Sequence, residues 1–470
     1  MPLLPVVLIV AALALGAGLI GLGSATGPVV STTSVTVLPR EPRGRAIPAS
    51  FLGLSLEYPA LIAYAGTDPN AINPAFVSLI RQLDPSGRPV LRIGGDSADW
   101  TWWPVRGATR PRGVGYALSP RWLAVASALV RAVHAKLILG LNLEAGSPAL
   151  AAAEAAALSG GLPAGSVSAF QLGNEPELYG LFAWYRTAGG RAVPGRPHDY
   201  GFAAYLRDAT TLTAALPGLA LSGPSTGGLG WRADLGRYLA AEPQVKLVTV
   251  HRYPLQLCYV SHKASRYPTV PNLLAARSST GLADTFRGEV ALAHARGLRL
   301  RVDELNTVSC GADREVSQSF ASALWALDTL FELARVGVDG VNVHTFPGAG
   351  YELFAFAHGH GGWRETIAPE FYGLRMFADA APPGSRLVPV AGVPRDGSLK
   401  VWATAAADGS VRVALIDKSR STARIVAVRI DRATGSATLE RLTAPSVNAT
   451  RGVALRRSVV TPSGGAYRVT

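Results

Sequence analysis

Two glutamates lie in sequence contexts suited to paired acid–base chemistry. Glu175 lies in Gly173-Asn174-Glu175-Pro176 and Glu304 lies in Asp303-Glu304-Leu305-Asn306, and each tetrapeptide follows a candidate β-strand. Hydrolysis of a glycosidic bond needs such a pair, because one protonated carboxylic acid must reach the leaving oxygen while a second carboxylate stays ionised. The surroundings must then hold the two pKa values apart.

Strands and helices alternate over the region that contains both glutamates. The strand candidates are Phe51–Leu56, Pro89–Ile93, Lys136–Leu143, Ala169–Leu172, Leu219–Ser222, Val245–Val250, Leu298–Val302 and Gly340–His344. Helical patterns lie between them, including Pro120–His134, Tyr200–Leu216 and Ser317–Val336. Apolar strands that alternate with helices in this way predict an α/β fold, a (β/α)8 TIM barrel, over residues 46–377.

The carboxyl ends of these strands predict the chemistry of the barrel mouth, since catalytic groups of such barrels come from there. Read in order, the ends are Glu57, Asp96, Glu144, Asn174-Glu175, Ser225, His251-Tyr253, Glu304 and His344. The fourth and seventh strands can bring Glu175 and Glu304 to face each other. The sequence has no His-x-x-Glu-His spacing and no Gly-x-Gly-x-x-Gly after a strand. No metal site and no nucleotide site is therefore predicted.

A different pattern begins near residue 378. The predicted strands there are Leu387–Val393, Leu399–Ala405, Val411–Asp417, Ala423–Ile430 and Ala437–Leu442. Asp408-Gly409 and Thr434-Gly435 are turn signals between them. The pattern predicts an appended C-terminal β-sandwich domain over residues 378–470, with the isolated strand Ser31–Leu38 as a candidate further member.

The first residues are predicted to be a targeting segment. Met1–Pro39 contains no charged side chain, and Leu3–Leu22 is almost continuously apolar, long enough to span a bilayer. Gly23-Ser24-Ala25 offers small residues at which a signal peptidase could cut. Residues 1–27 are therefore interpreted as a signal peptide or, alternatively, as an uncleaved membrane anchor. Either one predicts a secreted or cell-surface-anchored protein.

Composition excludes several classes of protein. The 470 residues are 48% hydrophobic and 16% charged, which argues against a disordered chain or a coiled coil. Two cysteines are too few for a disulfide scaffold or a Cys-rich zinc module. The formal net charge of +13 comes mostly from scattered arginines, so no nucleic-acid partner is predicted. The excess still favours an anionic ligand.

Asn-Glu-Pro after the fourth strand with a second glutamate after the seventh resembles the retaining glycosidases of the (β/α)8 clan A. A narrower resemblance rests on Phe51–Tyr58 (FLGLSLEY), Leu91–Ser97 (LRIGGDS), Val250–Tyr253 (VHRY) and Glu304–Gly311 (ELNTVSCG). These segments resemble glycoside hydrolase family 79, over nearly the whole exported chain. The resemblance implies cleavage at β-linked glucuronic acid with retention, as in β-glucuronidases and heparanases, and no cofactor.

The resemblance also implies roles for individual residues. Glu175 would be the general acid/base and Glu304 the nucleophile, with Asn174 on the sugar 2-hydroxyl and Tyr253 orienting the nucleophile. Further contacts to the substrate are expected from Glu57, Asp96, Ser309, Gly311 and Tyr351, of which Ser309–Gly311 would hold the sugar carboxylate partly through backbone N–H groups. No tyrosine stands at position 309, where some glucuronidases are expected to have one.

Two cysteines are expected to pair at the mouth. Cys258 follows the sixth strand and Cys310 the seventh, so their loops are neighbours. In an exported chain a disulfide is plausible, provided that the Cα atoms lie within about 7 Å. Such a bridge would hold the loop that contains Ser309.

Other residues receive structural interpretations. Arg92 is expected to support Glu175 or Glu304 through a buried ion pair, with binding of a substrate carboxylate as the alternative. His251 is expected to be a buried hydrogen-bonding group rather than a catalyst. Asp303 should point away from Glu304, toward the helices, because side chains alternate along a strand. Glu177 is expected outside direct contact with substrate. The remaining candidates are Trp100, Trp102 and Trp103, as sugar-stacking or core residues, and His358 and His360, as part of a loop rather than a metal site.

The predicted partner is therefore a glucuronic-acid-containing glycoside or oligosaccharide, and contact with a membrane is expected only through an N-terminal anchor. Two alternatives stay open: a clan A enzyme that acts on neutral β-glycosides, and a non-catalytic carbohydrate-binding protein on the same barrel. Retention predicts carboxyl groups about 5–5.5 Å apart. The sequence leaves the oligomeric state and exo or endo cutting undetermined.

Overall fold

The computed structural model describes residues 6–12, 30–419, 423–431 and 433–469. Two strands precede the barrel region: β1 (Val6–Ala11) and β2 (Val30–Val37). The barrel region contains the strands β3 (Leu52–Glu57), β4 (Val90–Gly94), β5 (Thr101–Trp102), β6 (Tyr116–Ala117), β7 (Lys136–Leu141), β8 (Val167–Leu172), β9 (Ala183–Arg186), β10 (Ala192–Pro194), β11 (Leu221–Thr226), β12 (Val245–Arg252), β13 (Leu255–Gln256), β14 (Arg299–Leu305), β15 (Val308–Ser309), β16 (Gly340–Thr345), β17 (Phe354–Gly359) and β18 (Gly362–Ile367). The C-terminal strands are β19 (Arg386–Leu387), β20 (Val390–Ala391), β21 (Leu399–Ala405), β22 (Val411–Asp417), β23 (Ala423–Ile430), β24 (Ala437–Thr443), β25 (Ala454–Val460) and β26 (Tyr467–Val469).

Helices lie between the barrel strands. They are α1 (Tyr58–Ala65), α2 (Pro74–Leu83), α3 (Pro120–Val133), α4 (Pro148–Gly161), α5 (Phe202–Thr213), α6 (Leu235–Ala241), α7 (Val270–Leu274), α8 (Thr280–Asp284), α9 (Arg287–Ala295), α10 (Arg314–Ser317), α11 (Phe320–Val336) and α12 (Pro369–Ala380). Short 3-10 helices lie at Gly95–Ala98, Pro176–Leu178, Arg232–Asp234 and Ala276–Ser278.

Local sequence explains where several helices begin and end. Ser119 and Ser147 each accept a backbone N–H of the first turn, and proline occupies the first position of α3 and of α4. Proline suits that position because it has no N–H to leave unpaired. Gly337 ends α11 with a φ of 90°, a left-handed conformation that glycine adopts readily.

The predicted TIM barrel is confirmed. Its eight parallel strands close in the order β3-β4-β7-β8-β11-β12-β14-β16, and β16 pairs with β3. Each barrel strand overlaps a predicted strand, but the ends differ. The strands β12 and β14 continue to Arg252 and Leu305, so His251 and Glu304 belong to the barrel wall itself.

The C-terminal sheets form the predicted sandwich. One sheet has the order β19-β21-β22-β1-β24-β25 and the other β20-β2-β23-β26. Their inner faces share one apolar core, to which β2 contributes Val35 and Val37. The predicted membership of the strand before the barrel is thus confirmed, since β2 pairs in parallel with β23 along its whole length.

The predicted targeting segment overlaps one strand of this sandwich. Residues 1–5 and 13–29 lie outside the described part of the chain, whereas Val6–Ala11 forms β1, between β22 and β24 and parallel to both. Its apolar side chains are largely buried. Targeting by residues 1–27 stays a prediction. Within residues 6–12, 30–419, 423–431 and 433–469, no helix has the length and hydropathy needed to cross a membrane.

Buried charges join the barrel to the sandwich. Lys418 Nζ lies 2.6 Å from Asp328 Oδ2 of α11, and both side chains are almost fully buried. Trp402 donates its indole N–H to Asp328 Oδ1 at 2.9 Å and stacks on Phe331, with ring centroids 5.4 Å apart. The sandwich therefore packs against α11, a helix that in turn supports the barrel.

Candidate active site

Glu304 lies near the end of β14 and is almost fully buried. Arg92 Nη1 donates to its Oε2 at 2.5 Å, and the Tyr253 hydroxyl donates to its Oε1 at 2.8 Å. The contact predicted between Tyr253 and this carboxylate is thus present. Because each carboxylate oxygen has a donor, the orientation of Glu304 is fixed before any ligand binds.

Glu304 is held in its ionised form. Burial alone raises the pKa of a carboxyl group, but the nearby charges of His344, His251 and Arg92 outweigh this effect. Together with the hydrogen bond from Tyr253 they hold the pKa of Glu304 well below its usual range. A carboxylate that is ionised and held in one orientation can act as a nucleophile.

Glu175 lies directly beyond β8 in an unusual backbone conformation. Its φ is 45°, in the left-handed region, and its N–H donates to the carbonyl of Ser225 at 3.0 Å. Its Oε1 lies 3.1 Å from His251 Nδ1. A Cβ on Gly227 would come within 2.2 Å of that same oxygen, so a side chain at position 227 would displace the Glu175 carboxylate. Strain of this kind is common where a side chain must point into a site.

The two carboxylates face each other as predicted. One oxygen of Glu175, one of Glu304 and a ring nitrogen of His251 all lie within 4.8 Å of one another. So close an approach of two carboxylate oxygens agrees with the spacing of about 5–5.5 Å between the carboxyl groups of retaining glycosidases. Among the described residues, these three side chains are also the group close enough together to hold a metal ion. They already form hydrogen bonds with one another and with Arg92.

Arg92 connects the elements that carry the two glutamates. Its guanidinium is fully buried; besides Glu304, it donates to Asn174 Oδ1 at 2.7 Å and to Gln171 Oε1 at 2.9 Å. Asn174 in turn donates to Asp96 Oδ1 at 3.0 Å. Arg92 therefore links the ends of β8 and β14 across the mouth, in agreement with its predicted supporting role.

The prediction for Asp303 is wrong. Its carboxylate points into the barrel rather than toward the helices, where it accepts a short hydrogen bond from Gln171 Nε2 and lies 3.7 Å from Arg92 Nε. Its Oδ1 is 3.5 Å from His251 Nε2. The pairing of β14 with β12 and with β16 shifts register around Asp303 and Glu304, and such irregularities break the alternation of side chains. Asp303 thus supports Arg92 and His251 from below.

Glu57 and Asp96 lie on the other side of the mouth. Glu57 accepts the backbone N–H of Ser97 at 2.8 Å, and its Oε1 is 3.3 Å from His344 Nε2. Asp96 faces the cleft, and desolvation together with the neighbouring Glu57 and Glu304 raises its pKa to about 8. When it is protonated, Asp96 can donate a hydrogen bond, whereas the ionised carboxylate can only accept.

Asp99 is a site residue that the sequence analysis missed. Its carboxylate accepts the backbone N–H groups of Leu143, Glu144 and Asn174 and the hydroxyl of Tyr179. It thereby fixes the loop that carries Asn174. The only sequence signal is its place three residues after Asp96 and beyond the second strand, which by itself marks no role.

Glu177 closes the other side of the Asn-Glu-Pro turn. Its Oε1 accepts the backbone N–H groups of Gly227 and Gly228 at 2.6 and 2.5 Å. These glycines form the wall beside Glu175. Glu177 therefore acts on the loop around Glu175, as expected of a residue outside direct contact with substrate.

The predicted disulfide is confirmed. Cys258 and Cys310 are bonded with their Cα atoms 5.8 Å apart, next to the short parallel pair β13 and β15. Cys310 and Ala312 have left-handed φ angles of 64° and 63°, which are costly for these residues unless the surroundings impose them. Ser309 and Cys310 line the cleft, and Gly311 follows as an exposed residue.

A cleft of about 630 Å³ opens at the mouth. Its lining includes Asp96, Asn174, Glu175, Tyr253 and Ser309, all predicted site residues. Tyr351 stands beside Tyr253, with ring centroids 6.0 Å apart.

The three tryptophans and two histidines that had alternative interpretations lie in different parts of the structure. Trp100 is 43% exposed and lines the cleft, whereas Trp102 is buried and Trp103 packs on the core. His358 and His360 lie at the exposed end of the β17–β18 hairpin, where the ring of His358 contacts Trp363.

Comparisons with known proteins connect this architecture to glycosidases. No family model and no curated protein matches the chain. Among solved structures, the chain is similar to a 4-O-α-L-rhamnosyl-β-D-glucuronidase from Fusarium oxysporum 12S in complex with Rha-GlcA, with a TM-score of 0.72, 18% identity and coverage of 93% of this chain and 97% of that chain. It is also similar to the family 51 arabinofuranosidase from Xanthomonas axonopodis pv. citri, with a TM-score of 0.66, 16% identity and coverage of 93% and 97%.

A third similar structure is the family 39 enzyme from the same Xanthomonas, with a TM-score of 0.57, 16% identity and coverage of 96% of this chain and 97% of that chain. By their names, the three neighbours are a glucuronidase, an arabinofuranosidase of family 51 and an enzyme of family 39. At such low identity the likeness shows the fold, a TIM barrel with appended β-sheets, along nearly the whole length of each chain.

Proposed function

We propose that the protein is a retaining glycoside hydrolase that cleaves β-linked glucuronic acid. The observation that carries the proposal is the carboxylate pair: Glu175 and Glu304 approach within 4.8 Å, and Arg92 with Tyr253 holds Glu304 ionised and oriented. A binding protein on an inherited barrel would have no use for such a pair.

In the first step Glu304 attacks the anomeric carbon of the sugar. The bond from that carbon to the glycosidic oxygen breaks as the bond to the Glu304 carboxylate forms, and Glu175 gives its proton to the departing oxygen. His251, at 3.1 Å from Glu175, is placed to stabilise the carboxylate that results. The products are the free leaving group and a covalent glycosyl-enzyme.

In the second step water releases the sugar. Glu175, now ionised, takes a proton from a water molecule as the water oxygen attacks the anomeric carbon, and the bond to Glu304 breaks. Two inversions give net retention of configuration. Arg92 and Tyr253 receive the regenerated carboxylate in its starting position.

Sugar recognition is assigned to the surrounding polar groups. Asn174 is proposed to bond the 2-hydroxyl, while Glu57 and Asp96 bond other hydroxyls. The sugar carboxylate is proposed to lie against the loop Ser309–Gly311 and Tyr351. A uronic acid is supported by the similar Fusarium structure, a glucuronidase bound to Rha-GlcA, and by the positive charge of the chain.

Variants of the two glutamates test the mechanism. Glu304→Ala is expected to lower kcat more than about 10³-fold, and Glu175→Ala about 10²- to 10⁴-fold. Added azide should rescue both, since it replaces the missing nucleophile in the first variant and the attacking water in the second. The glycosyl azide should be inverted with Glu304→Ala and retained with Glu175→Ala, as read by NMR. Equal turnover by the wild type and the Glu304 variant would refute the assignment.

Substrate specificity is tested with 4-nitrophenyl β-glucuronide, β-glucoside and β-xyloside, which share one leaving group. The proposal expects kcat/KM to be highest for the glucuronide. A higher value for either neutral sugar would overturn the uronic-acid assignment while leaving the retaining mechanism intact.

A further inference from the structure

The cleft extends mainly beyond Glu175. Glu175 protonates the leaving oxygen in the proposed function, on which this inference rests, so the space next to it receives the leaving group. Gly227, Gly228 and Leu229 line this side of the cleft, together with Arg252 and Arg266. These residues come from the loop after β11 and from the end of β12 and the loop that follows it.

Among the residues that the structure describes, Arg252 has no side-chain partner. It follows His251 at the end of β12 and is partly buried, and its Nε is enclosed without a hydrogen bond. Within residues 6–12, 30–419, 423–431 and 433–469 it forms no ion pair. The nearby carboxylate Glu289 is already paired with Arg232. An unpaired guanidinium inside a cleft is costly unless a ligand supplies the anion.

The other partly or fully buried arginines near the mouth do have partners. Arg92 is paired with Glu304, Arg196 with Asp208 at 2.8 Å, and Arg232 with Glu289. Arg252 therefore differs from them because the carboxylate near it, Glu289, is already paired with another arginine.

The segment around Arg252 contains basic residues and no acidic ones. From Pro243 to Ala283 the sequence has no Asp or Glu, whereas it contains Lys246, Arg252, Lys263, Arg266 and Arg277. Arg266 is positioned over the cleft by Gln256, whose Oε1 accepts from its Nη2 at 2.5 Å. Desolvation and the like charges of Arg266 and Arg232 lower the pKa of Arg252 to about 10, the effect expected of a cation that lacks a counter-ion.

Apolar side chains form part of the walls of this space. Trp100, Phe182, Leu229 and Tyr259 are all exposed and all line the cleft, and the rings of Phe182 and Tyr259 lie 6.1 Å apart. Aromatic faces of this kind pack against flat rings, either aryl groups or sugars. The bound group thus needs a ring for these walls and an anion for the arginines.

We propose that the leaving-group side of the cleft is an anion subsite, in which Arg252 and Arg266 bind a carboxylate or sulfate carried on the ring of the leaving group. The ring packs among Trp100, Phe182 and Tyr259. The preferred substrates are therefore glycosides whose leaving group is itself acidic.

The test compares two glucuronides with matched leaving groups, 4-carboxyphenyl β-glucuronide and its benzoate methyl ester. The measured quantity is the ratio of kcat/KM for the acid to kcat/KM for the ester, so differences in intrinsic reactivity cancel between proteins. Loss of a hydrogen bond to a charged group is expected to lower this ratio about tenfold or more in Arg252→Gln. Arg266→Gln, at an exposed position, should lower it by a smaller factor.

Lys263→Gln is the matched control. It removes the same charge from the same exposed loop but does not line the cleft, so the ratio should stay at its wild-type value. Arg252→Lys, which keeps the charge, should retain part of the preference for the acid. An unchanged ratio in both Arg252→Gln and Arg266→Gln, or an equal fall in Lys263→Gln, would overturn the subsite.

The experiment separates this inference from the proposed function. The same acid and ester leaving groups can be attached to β-glucose. The ratio of kcat/KM for acid and ester can then be measured even if the enzyme prefers neutral sugars. Calorimetric titration of the Glu304→Gln chain with both glycosides measures the preference as binding, without turnover. A glucuronosyl disaccharide with a sulfated reducing sugar, compared with its desulfated form, distinguishes an acidic sugar from an acidic aryl group as the source of the anion.

Discussion

Arg92 touches both halves of the proposed catalytic pair, since it bonds Glu304 directly and reaches the Asn174–Glu175 turn through Asn174. One planar guanidinium serves these partners at fixed angles, which a lysine could not do. The geometry of the mouth is therefore set by a side chain that itself need not contact the substrate.

Glu177 is predicted to position Glu175 through the loop Gly227–Gly228. Glu177→Ala removes the acceptor for two backbone N–H groups, so the wall beside Glu175 is released and kcat should fall about tenfold or more. Glu177→Gln keeps an acceptor oxygen at Oε1 and should retain most of the wild-type kcat at pH 6. Steady-state kinetics on 4-nitrophenyl β-glucuronide measure both, and equal losses in the two variants would contradict a role based on hydrogen bonding.

Glu144 is predicted to make stability fall as pH rises. Burial and the neighbouring Asp99 raise the pKa of Glu144 to about 9. The folded chain therefore keeps a proton on this carboxyl where the unfolded chain has lost it, and its contribution to stability declines from about pH 5 to about pH 9. Glu144→Gln cannot lose this proton, so its free energy of unfolding should gain on the wild-type value as pH rises. Between pH 5 and pH 8 the gain should be on the order of 2 kcal/mol.

Thermal and urea unfolding at the two pH values measure this difference. Glu365→Gln, an exposed change of the same type on β18, is the control and should follow the wild type at both values. A pH-independent effect of Glu144→Gln would show that Glu144 is ionised in the folded chain.

Residues within short motifs were predictable, and residues defined by three-dimensional neighbours were not. Glu175, Glu304 and Asn174 stand in recognisable tetrapeptides, so their meeting at the mouth followed from the strand order. Asp99 lies in no motif, and Arg252 lies in the VHRY segment without a predicted role, since the function of each depends on which backbone groups or charges other loops bring near it. Asp303 was misjudged because the irregular pairing of β14 has no signature in the local sequence.

At the scale of elements, α11 is the helix through which the barrel contacts the sandwich. Lys418→Met is expected to destabilise the protein by about 3–5 kcal/mol, because it leaves the buried carboxylate of Asp328 without its cation. The second change Asp328→Leu should recover most of that loss, because it removes the orphaned charge. Urea unfolding measures both variants.

Lys400→Met provides the comparison for Lys418→Met. Its partner Glu332 keeps a second cation, Arg335, whose Nε lies 2.5 Å from Glu332 Oε2, so the loss should be smaller. A larger loss of stability in Lys400→Met than in Lys418→Met would mean that the Lys418–Asp328 pair is not the main stabilising contact between barrel and sandwich.

Strands with a clear pattern were predicted almost to the residue. The strands β21, β22 and β23 have the predicted ends, because apolar and polar residues alternate along them between turn signals. The strand β1 was not predicted, because an uninterrupted apolar run such as Val6–Ala11 suits a targeting segment as well as a strand covered on both faces. The strand β25 was missed because its centre is polar, with Arg456, Arg457 and Ser458 in sequence.

At the scale of the molecule, the strand before the barrel is predicted to be essential to the sandwich. Val35→Asp buries a charge in the core between the two sheets and should lower the stability by about 3 kcal/mol or more. Thr32→Asp introduces the same charge on the exposed face of β2 and should change stability little. Differential scanning calorimetry measures both, and equal midpoints would show that β2 is dispensable.

The pairing of β2 with β23 also determines when the molecule can be completed. As the ribosome makes the chain, β2 emerges before any barrel strand, yet the partner to which it bonds from Val30↔Ala423 to Val37↔Ile430 is made near the end. The barrel can therefore begin to form during synthesis, while β2 waits unpaired and exposes the side chains that later enter a core. Closing so long a loop is slow, so β2 is among the last strands of the molecule to find its partner.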